Sequence, residues 1–158
     1  MKTVTRAGVF ETNSSSTHSI CIAKDKALIL DKLPLDEEGV CRVYPGEFGW
    51  EEREYNDAAT KASYCLTHVK SRPNYGLGTG SDEEMLLSAV IAQGTDAKQV
   101  LFVPQGQDYE GKDDWGYIDH QSIENDGGAG EPAFASGEIL FNFIFNPASS
   151  LITDNDNH

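Results

Sequence analysis

Ile139-Leu140-Phe141-Asn142-Phe143-Ile144-Phe145-Asn146 is the longest apolar-looking stretch of the chain, and the fold turns on how it is read. Its alternation sets Ile139, Phe141, Phe143 and Phe145 on one side and Leu140, Asn142, Ile144 and Asn146 on the other, the period of a strand. Four large side chains on one face would contribute of order 6–12 kcal/mol, at ~1.5–3 kcal/mol each. The stretch is therefore expected to be the strand that anchors the core. Pro147 stops it, and Leu151-Ile152 is expected to pair briefly afterwards.

The remaining elements are placed around that strand. Thr3–Phe10 reads as a first strand and Ser19–Ala23 as a second, joined by a long polar run. Val40–Tyr44 is a third strand, ended by Pro45-Gly46. Ala58, Ala62, Cys65, Leu66 and Val69 recur at helical spacing. They predict a helix over about Asp57–Lys70, capped by Asn56 and ended by Pro73. Ser81-Asp82-Glu83-Glu84 forms a capping box ahead of a second helix, which Gly94 closes. Gln99–Val103 reads as a buried strand, Asp113–Ser122 as a loop or short strand, and Asp126–Pro132 as a loop. The expected class is α+β, a mostly antiparallel sheet with two helices packed on one face. One domain spans residues 1–158, with a polar acidic tail from about residue 153.

Charge narrows the function. The 158 residues hold 12 Lys and Arg against 26 Asp and Glu, a net charge of −14. Such a surface neither neutralises phosphates along a nucleic acid nor seats on an anionic membrane. Lys112 is the last basic residue, and nine acids follow it. The opening residues contain no apolar run of leader length, and three widely spaced cysteines suit a reducing compartment, so a cytoplasmic protein is expected.

Three polar clusters are candidate sites. The first is Glu11-Thr12-Asn13-Ser14-Ser15-Ser16-Thr17-His18-Ser19, nine residues without an aliphatic side chain. Hydroxyls, an amide and backbone N–H groups can hold a phosphate, and an imidazole titrating near pH ~6.5 can act as a general base. The plainer alternative is a solvated turn. The second is Asp119-His120-Gln121, where Asp119 could orient an imidazole or bind a cation and His120 could serve as a second acid or base. An ordinary turn is the alternative. The third is Asp154-Asn155-Asp156, hard oxygen ligands suited to Mg²⁺ or Mn²⁺, or else a solvated terminus. A zinc site from His18, Cys21, Cys65 and His68 is disfavoured, because residues three apart on a strand diverge. Gly76–Gly80 is neither a dinucleotide fingerprint nor a Walker loop, and the acids that follow would repel a phosphate.

The run Gly8-Val9-Phe10-Glu11-Thr12-Asn13-Ser14-Ser15-Ser16-Thr17-His18-Ser19, with Arg6 before it, resembles the N-terminal signature of a group of small proteins of tailed bacteriophages and prophages. Further patches are similar to that group: Phe48-Gly49-Trp50 through Lys61–Leu66, Gly116–Ser122, Phe143–Pro147 and the Asp154–Asn157 tail. The resemblance implies a phage origin and action in the host cytoplasm. It carries no activity or catalytic residues with it.

Three functions compete. In the first, the polar run binds a small phosphorylated ligand such as a nucleotide and hydrolyses or transfers it. His18, His120 and Ser15 would be catalytic, and Arg6, Thr12, Asn13, Ser14, Ser16 and Gln121 would bind substrate. Glu11, Asp119, Asp154 and Asp156 would hold Mg²⁺ or Mn²⁺. In the second, the acidic surface binds a host protein with a basic surface and mimics nucleic acid. In the third, the chain is a virion-associated structural protein. The first is preferred, because the acidity is easier to reconcile with a site than the polar run is with a passive surface.

Overall fold

A computed structural model describes residues 2–6, 16–49, 51–71, 79–118 and 131–155. The chain runs β1 (Lys2–Arg6), β2 (Ser16–Ala23), β3 (Val40–Val43), β4 (Glu47–Phe48), β5 (Arg53–Tyr55), α1 (Ala58–Ser71), α2 (Thr79–Thr95), β6 (Gln99–Phe102), β7 (Tyr117–Ile118), a 3-10 turn (Glu131–Ala135), α3 (Gly137–Phe145) and β8 (Ser150–Asn155). An antiparallel sheet of order β1-β2-β8-β5 carries the fold, and two parallel ladders, β3–β6 and β4–β7, complete it. The α+β class is as expected, with three α-helices among the described residues where two were expected.

The third helix is the stretch on which the reading turned. Ile139–Asn146 is not a strand: Gly137–Phe145 is helical, and Leu140, Phe143, Ile144 and Phe145 are its buried residues. Leu140, Phe143 and Ile144 follow i, i+3, i+4 spacing, which a helix presents on one face. The Ser136 side chain caps it by accepting from the Ile139 amide at 3.1 Å. Asn142 and Asn146 stack one turn apart, Asn146 Nδ2 donating to Asn142 Oδ1 at 2.7 Å. The same pair grips the exit of β2, with Asn142 Nδ2 donating to the Ala23 carbonyl and Asn146 Nδ2 to that of Asp25 at 2.9 Å. The strand and helix readings both group the two asparagines, so only the cap and the apolar spacing separate them.

With that stretch helical, a different segment fills the sheet. Residues 150–155, expected to pair only briefly, form β8 between β2 and β5. Ile20 lies opposite Leu151 in the register, and both join the core with Leu66, Phe143 and Ile144.

Helix ends also differ from expectation. Asp57, not Asn56, caps α1, its carboxylate accepting from the Thr60 amide at 2.8 Å. Asp31 covers the Ala58 amide at 2.7 Å, and Asn56 instead donates to the Pro147 carbonyl at 3.2 Å. α2 begins at Thr79, so Ser81 lies inside its first turn, and Gly76–Gly78 fall outside the described residues. Gly94 does not close α2; Asp96 takes the left-handed turn beyond its end at φ 57°. Gly94 has a packing role, since a Cβ there would sit 2.3 Å from the Phe145 ring. β6 is half-buried rather than buried. Gly116 has φ 73°, and a Cβ on it would meet the Gly46 carbonyl at 2.1 Å, so β4 and β7 approach through two glycines.

Lys61 is fully buried, and its Nζ donates to the carbonyls of Asn146 and Ser149, each at 2.9 Å. These carbonyls lie where α3 ends, which leaves acceptors that need partners and the negative end of the helix dipole.

Two substitutions test this packing. Lys61→Met removes a charged donor from two carbonyls and is expected to cost about 3 kcal/mol in urea unfolding. Gly94→Ala gains ~1 kcal/mol of helix propensity but overpacks a buried ring, which costs ~1–3 kcal/mol. A net loss of up to about 2 kcal/mol is expected, and a stabilised variant would refute the close approach.

Candidate functional site

The polar run enters the sheet at the start of β2. Arg6 of β1 lies opposite Ser19, while Ser16, Thr17 and His18 lie opposite Asn155, Asp154 and Thr153 of β8. Arg53 of β5 also lies opposite Thr153. One end of the sheet therefore carries Ser16 and Thr17 beside Asn155 and Asp154, with Arg6 level with Ser19, two positions further in than Thr17. Two of the three sequence clusters meet here, although they are far apart along the chain.

Beneath this end is a buried polar and aromatic layer. His18 is fully buried, with Nε2 3.0 Å from the Gly49 carbonyl and Nδ1 2.9 Å from the Tyr64 hydroxyl. A carbonyl only accepts, so Nε2 carries the proton; in the neutral ring Nδ1 then accepts from the tyrosine hydroxyl. Tyr64 meets His18 and Phe48 edge-on, at 5.7 and 4.9 Å between ring centroids. Thr153 Oγ1 donates to the Glu51 carbonyl at 2.7 Å, and the Glu51 carboxylate accepts from the Gly49 amide and the Tyr55 hydroxyl, each at 3.3 Å. This network fixes Gly49 and Glu51 beneath β2 and β8. With both ring nitrogens engaged inside the protein, His18 is arranged to position its surroundings.

Burial pushes the Tyr64 hydroxyl well above the usual tyrosine range, with the charge of a Cys65 thiolate adding to it. Burial likewise pushes the Cys65 thiol strongly up, while the Lys61 charge opposes the shift and Glu83 adds to it. The Cys41 thiol is raised by burial as well. Tyr55 is raised first by burial and then by the charge of Glu51. All three cysteines are free and buried.

The other expected site residues are placed less fully. Arg6, Ser16 and Asp154 are located by their backbone positions in the sheet. Glu11, Thr12, Asn13, Ser14, Ser15, Asp119, His120, Gln121 and Asp156 lie outside the described residues. Ile118, which precedes Asp119, is in register with Phe48, whose neighbour Gly49 accepts from His18. Among the described residues no group of three or more His, Cys, Asp or Glu is placed to hold a metal ion. No helix among them is long and apolar enough to cross a membrane.

Comparison with known protein families, curated proteins and solved structures finds no match to this chain.

Sequence reasoning missed Tyr64, Gly49, Glu51 and Thr153. Tyr64 falls outside the apolar stripe that predicted α1, yet α1 is buried on most of its circumference, Lys61 and Thr67 included. Its small residues, Ala58, Ala59, Ala62 and Ser63, were the available cue to a helix enclosed by neighbours. Gly49 contributes only a carbonyl, which no side-chain pattern reveals.

The raised thiols and phenol give a pH prediction. An unfolded cysteine titrates near ~8.5 and a tyrosine near ~10, while their buried counterparts keep their protons to higher pH. Stability from these groups is complete below pH ~8.5 and falls above it, because the unfolded chain then binds fewer protons. Urea unfolding from pH ~8 to ~10.5 should show a loss of up to ~1.4 kcal/mol per pH unit for each group. Cys65→Ala should make the first part of the decline shallower. A stability independent of pH over that range would refute the burial of these groups.

Proposed function

We propose that this protein binds a small phosphate-bearing ligand, of nucleotide size, at the sheet end where the polar run enters β2. One observation supports it most: the register sets Thr17 opposite Asp154 and Ser16 opposite Asn155, with Arg6 on β1 two positions further in than Thr17. Hydroxyls from Thr12, Ser14, Ser15 and Ser16 and the amide of Asn13 would supply donors, and Arg6 a cation. Asp154 beside a phosphate would repel it, so Mg²⁺ or Mn²⁺ bridging the carboxylates of Asp154, Asp156, Glu11 or Asp119 to the ligand is part of this reading. His18 serves from below as a positioning residue, tying β2 to Tyr64 and Gly49. Any hydrolysis or transfer would fall to Ser15 and His120. The phage resemblance supports action in a bacterial host's cytoplasm as part of this reading.

Thermal unfolding with inorganic phosphate and nucleotides, each with and without Mg²⁺ or Mn²⁺, tests the proposal. Ligand at ~100-fold over its Kd adds about 2.7 kcal/mol, or roughly 5–10 °C in Tm for a domain of this size. Arg6→Ala and Asp154→Asn should each remove most of that shift, and metal removal should weaken nucleotide binding. If no ligand shifts Tm and a host protein is instead captured in a salt-sensitive complex, the acidic-mimic function replaces this one.

A further inference from the structure

After β2 the chain leaves the sheet as Lys24-Asp25-Lys26-Ala27-Leu28-Ile29-Leu30-Asp31-Lys32. Leu28 is 104% exposed and Ile29 80% exposed, while Leu30 is partly covered. This strap is held at both ends. The Asp25 carbonyl accepts from Asn146 Nδ2 at 2.9 Å, the Asp31 amide donates to the Phe145 carbonyl at 2.8 Å, and the Asp31 carboxylate accepts from Ala58 at 2.7 Å. Anchors on both sides fix the strap with its apolar apex facing solvent. Beside it is an open cleft of about 900 Å³, lined by Ile22, Leu30, Ile139 and Phe141. Lys24 and Lys26 from the strap and Glu138 from the first turn of α3 complete its wall. An apolar projection and an apolar recess thus lie side by side on one surface.

We infer that a second copy of this chain covers this surface, with Leu28 and Ile29 of each copy entering the cleft of the other about a two-fold axis. A two-fold interface needs one patch that is complementary to itself, and adjacent projection and recess meet that requirement. Charge points to the same occupant. Two bodies of −14 repel, yet the Lys24–Lys32 strap holds three of the chain's 12 basic residues against two acids, Asp25 and Asp31. It is a surface on which two such molecules can approach. The two-fold brings Lys24 and Lys26 of one copy to Glu138 of the other, which fixes the orientation.

Sedimentation of the full chain over roughly 10–500 µM tests this, with a discrete dimer expected. Leu28→Ser with Ile29→Ser should raise the dimer Kd by at least ~100-fold. Both positions are exposed, so the double variant should keep its secondary structure and its unfolding midpoint at dilution. Tyr109→Ser, at an exposed tyrosine outside this surface, should leave the dimer intact. Lys26→Glu and Glu138→Lys should each weaken association, and the combined variant should restore it. Raising salt from about 0.01 to 0.15 M should strengthen the dimer by screening the net repulsion. A wild type that stays monomeric throughout, a dimer that survives the Leu28 and Ile29 changes, or open-ended growth would each overturn the inference. So would a monomer whose cleft takes up a long-chain carboxylate.

Discussion

The ammonium of Lys61 is buried among α1, α3 and the turn into β8, and the surrounding structure depends on it. Taking an ammonium out of water costs several kcal/mol unless its protons find acceptors. Here the acceptors are main-chain carbonyls at Asn146 and Ser149, where α3 has ended and β8 is about to begin. The Phe143 ring lies 5.8 Å away and offers its face to the charge. One side chain therefore sets the distance from α1 to the end of α3 and fixes where β8 starts. The register of β8 against β2 follows from that start, and so does the meeting of Thr17 with Asp154. Asn142 and Asn146 continue the arrangement on another side of α3, holding the exit of β2.

The fold was legible wherever a segment carried one period and its own punctuation. α1 showed helical spacing and α2 a capping signal, and the β2 and β3 segments showed short β-branched runs between polar or Pro-Gly boundaries. The class followed from those segments. The Ile139–Asn146 stretch was misread because alternating aromatics and a helical face can be written with the same residues. Ser136 and Asn146-Pro147 marked a capped helix of nine residues, but four aromatic or β-branched side chains in alternation outweighed them. β8 was underestimated for the opposite reason. Ser150-Leu151-Ile152-Thr153 is short and half polar, and its importance comes entirely from its two neighbours in the sheet.

The candidate site was legible in chemistry and not in geometry. Hydroxyls, carboxylates and imidazoles announce themselves in sequence, and the run ending at His18 was selected on that ground. The burial of His18 beneath the sheet was not legible, because it depends on Tyr64 and on a carbonyl at Gly49 that residue identity cannot show. Lys61 was hidden in the same way. A lysine in an amphipathic helix is ordinarily a solvent residue, and the carbonyls beyond the end of α3 that accept its protons make a buried one favourable.

The order β1-β2-β8-β5 has a kinetic consequence. Among the described residues β5 pairs only with β8, and one edge of β2 has no partner until β8 arrives from more than 120 residues away. The sheet therefore closes through long-range contacts, which slow folding because a large loop must be ordered first. Until then the Ile20-Cys21-Ile22 edge of β2 is an open template for strand pairing with another chain. The helices rest on local contacts, and the sheet stays open to aggregation until β8 pairs.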